Sequence, residues 1–144
     1  MSQVSIQPQA DHVEIRLMSH LDEIARIEGH LSAWAREMGL QAEKISLFIV
    51  AVTEAISNAI LHGNRQSPQK EVRVRLSYSN LPPALAVEVQ DEGEGFNPES
   101  IPDPTHQDNL LKEGGRGIFL MRNIADNVEF LEGGRCVRLL FFRK

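Results

Sequence analysis

The sequence predicts an α+β fold, with an open mixed sheet covered by helices on one face. Three observations carry this. Five segments have the alternating or continuous apolar pattern of strands. Two long helical stretches stand together between the first strand and the second. The later strands are joined by turns rather than by helical crossovers.

In His12–Met18, Val13, Ile15 and Leu17 face one way and Glu14 and Arg16 the other, as in a half-buried strand. Leu21, Ile24, Ile27, Leu31, Trp34 and Met38 then recur at three- and four-residue steps, which predicts a helix from about Leu21 to Met38. Ser19 with Asp22 reads as its start signal and Gly39 as its stop. A second helix is predicted from about Ala42 to His62. Ile45, Phe48, Ile49, Val52, Ile56, Ala59 and Ile60 form one face, while Leu47, Val50 and Leu61 carry apolar character around the back. Such a helix is expected to be buried on most sides. Val72–Tyr78 and Leu85–Gln90 read as a hairpin around the Asn80–Pro83 turn. Asp91–Gly115, rich in glycine and proline, reads as a long loop, and loops of that length are usually functional. A short helix at Ile118–Ala125 precedes two strands, Asn127–Leu131 and Arg135–Phe142, around Gly133-Gly134.

Composition bounds the class. A chain of 144 residues with 42% hydrophobic and 24% charged content is the size and make-up of one soluble globular domain. A net charge of -5 gives no bulk attraction for nucleic acid or anionic lipid. Cys136 is the only cysteine, so no internal disulfide can form, and a reducing compartment fits. Met1–Ala10 is polar and lacks the pattern of a signal peptide. No apolar run is expected to reach the length of a membrane span. A cytoplasmic protein is the expectation.

Three short motifs carry chemistry. Glu54, Asn58 and His62 are spaced by four, so a helix places them on one side. That side is either a solvated stripe or the wall of a pocket. In a pocket, an amide oxygen suits Mg²⁺, and a carboxylate beside it can accept a proton or orient water. No second His or Cys stands at ligand spacing to His62, which argues against zinc. Asp91-Glu92-Gly93-Glu94-Gly95-Phe96 follows a strand directly. It is either a plain turn with an acidic rim or a place where a ligand approaches backbone closely. An Asp there can accept a hydrogen bond from an exocyclic amine such as adenine's. No helix opens after its glycines, unlike a Rossmann fingerprint. Gly114-Gly115-Arg116-Gly117 stands just before a predicted helix. It is either a hinge or an anion site at a helix N-terminus, with Arg116 as an added cation. No Gly-Lys-Ser/Thr follows, so it is not a P-loop. Taken jointly, the three motifs describe an Mg-nucleotide site.

Glu54-Ala55-Ile56-Ser57-Asn58-Ala59-Ile60-Leu61-His62-Gly63 resembles the N box of the GHKL ATPase/kinase superfamily. Asp91–Phe96 resembles its first glycine box, and Gly115-Arg116-Gly117-Ile118-Phe119-Leu120-Met121 its second. Within the superfamily the chain is most similar to the bacterial anti-sigma-factor serine kinases, from the first strand to Phe142. The resemblance implies a two-layer Bergerat-type α/β sandwich with a mixed, mostly antiparallel sheet. It implies a single domain over residues 1–144, with 1–10 as a flexible lead. It implies Asn58 as the Mg²⁺ ligand, Glu54 as general base, and Asp91 as the holder of the adenine amine, helped by Gly95. Gly115 and Gly117 would stand by the phosphates, and 97–113 would be an ATP lid. The whole nucleotide set is then Asn58, His62, Asp91, Gly93, Gly95, Phe96, Gly114, Gly115, Arg116, Gly117 and Ile118.

Such kinases transfer the γ-phosphate of ATP to a serine of a small anti-anti-sigma (STAS-type) protein. They bind a sigma factor in a competing complex, and the precedent is a homodimer. One departure stands out. Some members carry a basic residue just ahead of the second glycine box, whereas here the stretch reads Lys112-Glu113-Gly114-Gly115 and Arg116 lies between glycines. The alternative function is a non-catalytic, ATP-dependent binding module that sequesters a sigma factor or other regulator. Glu54 favours the kinase, because a module that only binds needs no base. A sensor histidine kinase would need a dimerising helix pair for which the chain has no room.

Overall fold

The alternating residues of the first predicted strand become the centre of one half of a six-stranded sheet. The computed structural model describes residues 3–6, 12–80, 82–94 and 115–143. In chain order these residues form β1 (Gln3–Ile6), β2 (His12–Met18), α1 (Asp22–Glu37), α2 (Ala42–Asn58), β3 (Glu71–Asn80), β4 (Pro83–Gln90), α3 (Gly115–Ile124), β5 (Asn127–Leu131) and β6 (Cys136–Phe142). The strand order is β1-β2-β3-β4-β6-β5. Every pairing among the described strands is antiparallel, so the sheet expected to be mixed and mostly antiparallel is uniformly so. β1 lies within the stretch expected to be a flexible lead, and it pairs with β2 from Gln3↔Arg16 to Ile6↔Val13.

The two faces differ as the period-two pattern requires. Ile15, Val74, Val89 and Val137 stand in one cross-strand row and are all buried, in the core shared with Ile27, Leu31, Phe48, Val52 and Ile56 of α1 and α2. The next row, on the opposite face, reads Glu14, Arg75, Glu88, Arg138 and Glu129 across five strands. Its signs alternate, so each arginine stands between two carboxylates, an arrangement suited to water rather than to a second helical layer. The architecture is therefore a two-layer α+β sandwich.

α1 ends as expected. Gly39 takes a left-handed φ of 90°, and the Leu40 N–H donates back to the Ala35 carbonyl. Its start differs from the sequence signal. Leu21 is the N-cap residue, with no side-chain cap. Ser19 turns away and donates to the Lys70 carbonyl at 2.6 Å.

α2 buries Ile45, Phe48, Ala51, Val52, Ala55 and Ile56. The Phe48 ring meets Phe141 of β6 edge-on at 4.8 Å between centroids. Leu47 and Val50 are 51% and 40% exposed, so the helix is not buried on most sides as its composition suggests. With its extension, Ala42–Gly63 is a 22-residue helix long and apolar enough to cross a membrane by length and composition, contrary to expectation. Here one face of it is the inner wall of the sandwich. At Ala59–Gly63 the hydrogen bonding widens to a π-helical turn, and the Asn64 N–H donates to the Ala59 carbonyl. Such single turns occur often at functional sites.

α3 starts at Gly115, earlier than its apolar period indicates. Glycine is a poor helix former, so the first turn of α3 reads as loop in the sequence. The tight link from β5 to β6 needs left-handed backbone, and Glu132, Gly133 and Gly134 have φ of 51°, 68° and 91°.

Candidate active site

Glu54 and Asn58 project from the same side of α2, both partly exposed. α3 crosses that side, and its first turn presents Gly117 to them. A β-carbon added at Gly117 would lie 2.9 Å from Glu54 Oε2 and 3.1 Å from Asn58 Nδ2. Glycine lets the backbone pass within contact of both polar groups without displacing their side-chain ends. The two motifs thus meet through space, and α3 covers part of the Glu54–Asn58 side, which stays partly open to water. His62, the third member of the stripe, is exposed on the π-helical turn.

The second cluster forms where α2 ends. Asp91 follows β4, and its N–H donates to the Arg135 carbonyl at 2.9 Å, which extends the β4–β6 pairing. Its Oδ1 accepts the Gly93 N–H at 2.7 Å. Among the described residues Oδ2 has no hydrogen-bond partner. Gly63 packs on this carboxylate, and Gly93 packs on the Gly63 carbonyl. Burial raises the Asp91 pKa above its ordinary value, while the Gly93 hydrogen bond and the positive charges of Arg135 and Lys70 oppose that rise.

Gly115, Arg116 and Gly117 form the first turn of α3 itself, rather than a loop ahead of it. The Ile118 side chain is 7% exposed and belongs to the core. Gly95, Phe96, Gly114, Lys112 and the segment 97–113 lie outside the described residues.

Sequence reasoning missed Asn64 and gave Ser19 a different role. Asn64 is 1% exposed, and its Oδ1 accepts the Glu92 N–H at 2.7 Å. Its Nδ2 donates to Ser19 Oγ and to the Glu71 carbonyl, both at 2.9 Å. The only local hint is an amide side chain directly after the glycine that ends the π-helical turn.

A family model for the histidine kinase-like ATPase domain matches residues 17–141. The chain belongs to that family. ATP use follows from membership. Among individual relatives of this ATPase domain, the serine-protein kinase RsbW of Bacillus subtilis (strain 168) is 30% identical, across 83% of this chain and 77% of its own length. RsbW of Staphylococcus epidermidis is 25% identical, across 96% of this chain and 91% of its own. In three dimensions the ATPase domain is similar to a crystal structure of the RsbU and RsbW domains of a Mycobacterium tuberculosis protein. The TM-score is 0.62 at 14% identity, covering 92% of this chain and 32% of that one. At that identity the likeness concerns fold, and it agrees with the two-layer architecture and the GHKL resemblance.

Proposed function

We propose that this chain is an ATP-dependent protein-serine kinase that phosphorylates an anti-anti-sigma (STAS-type) partner and, in a competing complex, sequesters a sigma factor. One observation carries the reading. The carboxylate of Glu54 and the amide of Asn58 lie together beneath Gly117, at the start of a helix whose N-terminal dipole favours phosphate. Phosphoryl transfer needs mainly positioning and neutralised charge, so a site this sparse suffices.

The residues present fit Mg-ATP. Glu54 and Asn58 offer hard oxygen atoms side by side, and Mg²⁺ takes one or two protein oxygens and completes its shell with phosphate and water. Bound there, it would neutralise charge on the phosphates. Asn58 supplies the protein ligand. Glu54 accepts the proton of the serine hydroxyl. Asp91 receives the adenine amine on Oδ2, with Gly93 and Gly95 allowing the base to approach. Gly115, Arg116 and Gly117 meet the phosphates. The same reading takes residues 1–144 as one cytoplasmic domain that works as a homodimer.

The test is transfer of label from γ-labelled ATP to candidate single-domain anti-anti-sigma proteins. Label on a partner serine is the expected result. Tight ATP binding with no transfer to any such partner would leave a sequestering module instead.

Asp91 gives a separable prediction. A carboxyl whose pKa is raised on folding stabilises the fold below its unfolded pKa and loses that contribution as pH rises through the folded value. Above the folded value the Asp91 carboxylate is thus a burden on the fold. Asp91→Asn keeps an oxygen for the Gly93 N–H, removes the charge, and turns an acceptor into a donor toward adenine. Its melting temperature without nucleotide is expected to equal or exceed wild type, while ADP binding by titration calorimetry is lost. In the wild type, ADP affinity is expected to weaken as pH falls through the raised pKa. A variant that melts lower and still binds ADP would remove Asp91 from the site.

A further inference from the structure

We propose that Asn64 is a positioning residue for nucleotide binding, acting through the turn that carries Asp91. The proposal rests on the nucleotide-site reading above and adds to it a residue outside its three motifs.

The hydrogen bonds around Asn64 close a ring. Asn64 Oδ1 holds the Glu92 N–H at 2.7 Å, the Glu92 carboxylate accepts the Glu71 N–H at 2.5 Å, and the Glu71 carbonyl accepts from Asn64 Nδ2 at 2.9 Å. A second set ties the ring to the start of α1: Asn64 Nδ2 donates to Ser19 Oγ, and Ser19 Oγ donates to the Lys70 carbonyl. Four separate chain segments therefore meet at one buried amide, which has found partners for both its donor and its acceptor sides.

The ring bears on Asp91 and on little else in the site. Asp91 is held on one side by the Arg135 carbonyl, and on the other its neighbour Glu92 is held by Asn64. With both ends of the peptide fixed, Oδ1 stays on the Gly93 N–H and Oδ2 stays directed away from it. The backbone just after Asn64 is also constrained, because Arg65 and Gln66 both take left-handed φ, 52° and 57°. Non-glycine residues adopt that conformation in succession only where surrounding bonds over-determine it. The π-helical turn ahead of Asn64 aims the residue inward instead of letting α2 run on. The Glu54–Asn58 pair lies on the far side of that turn and is not part of the ring.

This placement separates binding from chemistry. Asn64→Ala is expected to weaken ADP binding about tenfold, the scale of one lost buried hydrogen bond to a fixed group. The KM for ATP should rise by a similar factor, with kcat at saturating ATP unchanged. Ser19→Ala removes a bond from the same cluster but leaves the Asn64–Glu92 link. It should lower the melting temperature and leave ADP affinity within about twofold. Asn64→Asp keeps an oxygen for the Glu92 N–H and loses both donors. It should melt lower yet hold ADP within about threefold of wild type, which keeps the question answerable if the alanine variant does not fold.

The readouts are titration calorimetry with ADP and thermal melting without nucleotide. If Asn64→Ala binds ADP as wild type does, or Asn64→Asp loses affinity while Ser19→Ala loses it equally, the role of Asn64 is overturned and the nucleotide site stands. If the wild-type protein binds no ADP, the nucleotide site itself falls and takes the role of Asn64 with it.

Discussion

Glu54→Gln is expected to slow phosphoryl transfer by roughly 10²- to 10⁴-fold, the usual contribution of a positioned general base, while ADP affinity stays within about threefold. The amide has the shape of the carboxylate, so the packing of Gly117 on α2 is kept, and only the capacity to take a proton is lost. The assay is label transfer from γ-labelled ATP at saturating concentration, beside calorimetry with ADP. A matched loss of both would mean that Glu54 holds the ligand and does not act as a base. Loss of neither would return the function to a module that binds without phosphorylating.

Gly93→Ala is the second large effect, and it arises from sterics alone. Gly93 does not lie in the left-handed region, so alanine can adopt its backbone conformation. The obstacle is the Gly63 carbonyl, which the added methyl would overlap. That neighbour is backbone at the end of the π-helical turn, so it cannot rotate aside as a flexible side chain would. Either the Asp91 turn or the π-helical turn must move, at a cost of about 1–3 kcal/mol for an overpacked contact. ADP binding should fall with it, because Asp91 moves with its turn. Gly29→Ala is the internal control. Gly29 is exposed on α1 with open space where a β-carbon would go, so alanine there should stabilise the fold by about 0.5–1 kcal/mol. A Gly93→Ala protein that melts and binds ADP like wild type would contradict the contact with Gly63.

Much of this was legible in the chain because the signals are local. Val13, Ile15 and Leu17 alternate within one strand, and Glu54 and Asn58 share a side of one helix, so adjacent residues suffice to place them. The pairing of Glu54 and Asn58 with Gly117 could be expected from the resemblance, but not from spacing. Ser19 and Asn64 stayed hidden because their partners are remote: Ser19 reaches Lys70 across 51 positions, and Asn64 reaches Glu92 across 28. In the sequence Ser19 is a plausible helix cap, and only the fold shows it committed elsewhere. The start of α3 was missed for a different reason. Its glycines have poor helix propensity, and packing on α2 outweighs that preference. The exposure of Leu47 and Val50 is the converse, since apolar character alone does not tell which sides of a helix have neighbours.

The meeting of Phe48 with Phe141 has a consequence for synthesis. α2 leaves the ribosome before any of β3, β4, β5 and β6, and its apolar face is completed by a strand made almost last. Closing such remote contacts is slow, and domains generally fold as units once enough chain is available. Until β6 arrives, α1 and the earlier strands can pack on the same face of α2, but Phe48 lacks the ring that closes over it. The helix that bears Glu54 and Asn58 thus gains its full cover only with the last strand, and truncation before β6 is expected to leave the Phe48 end of that helix open.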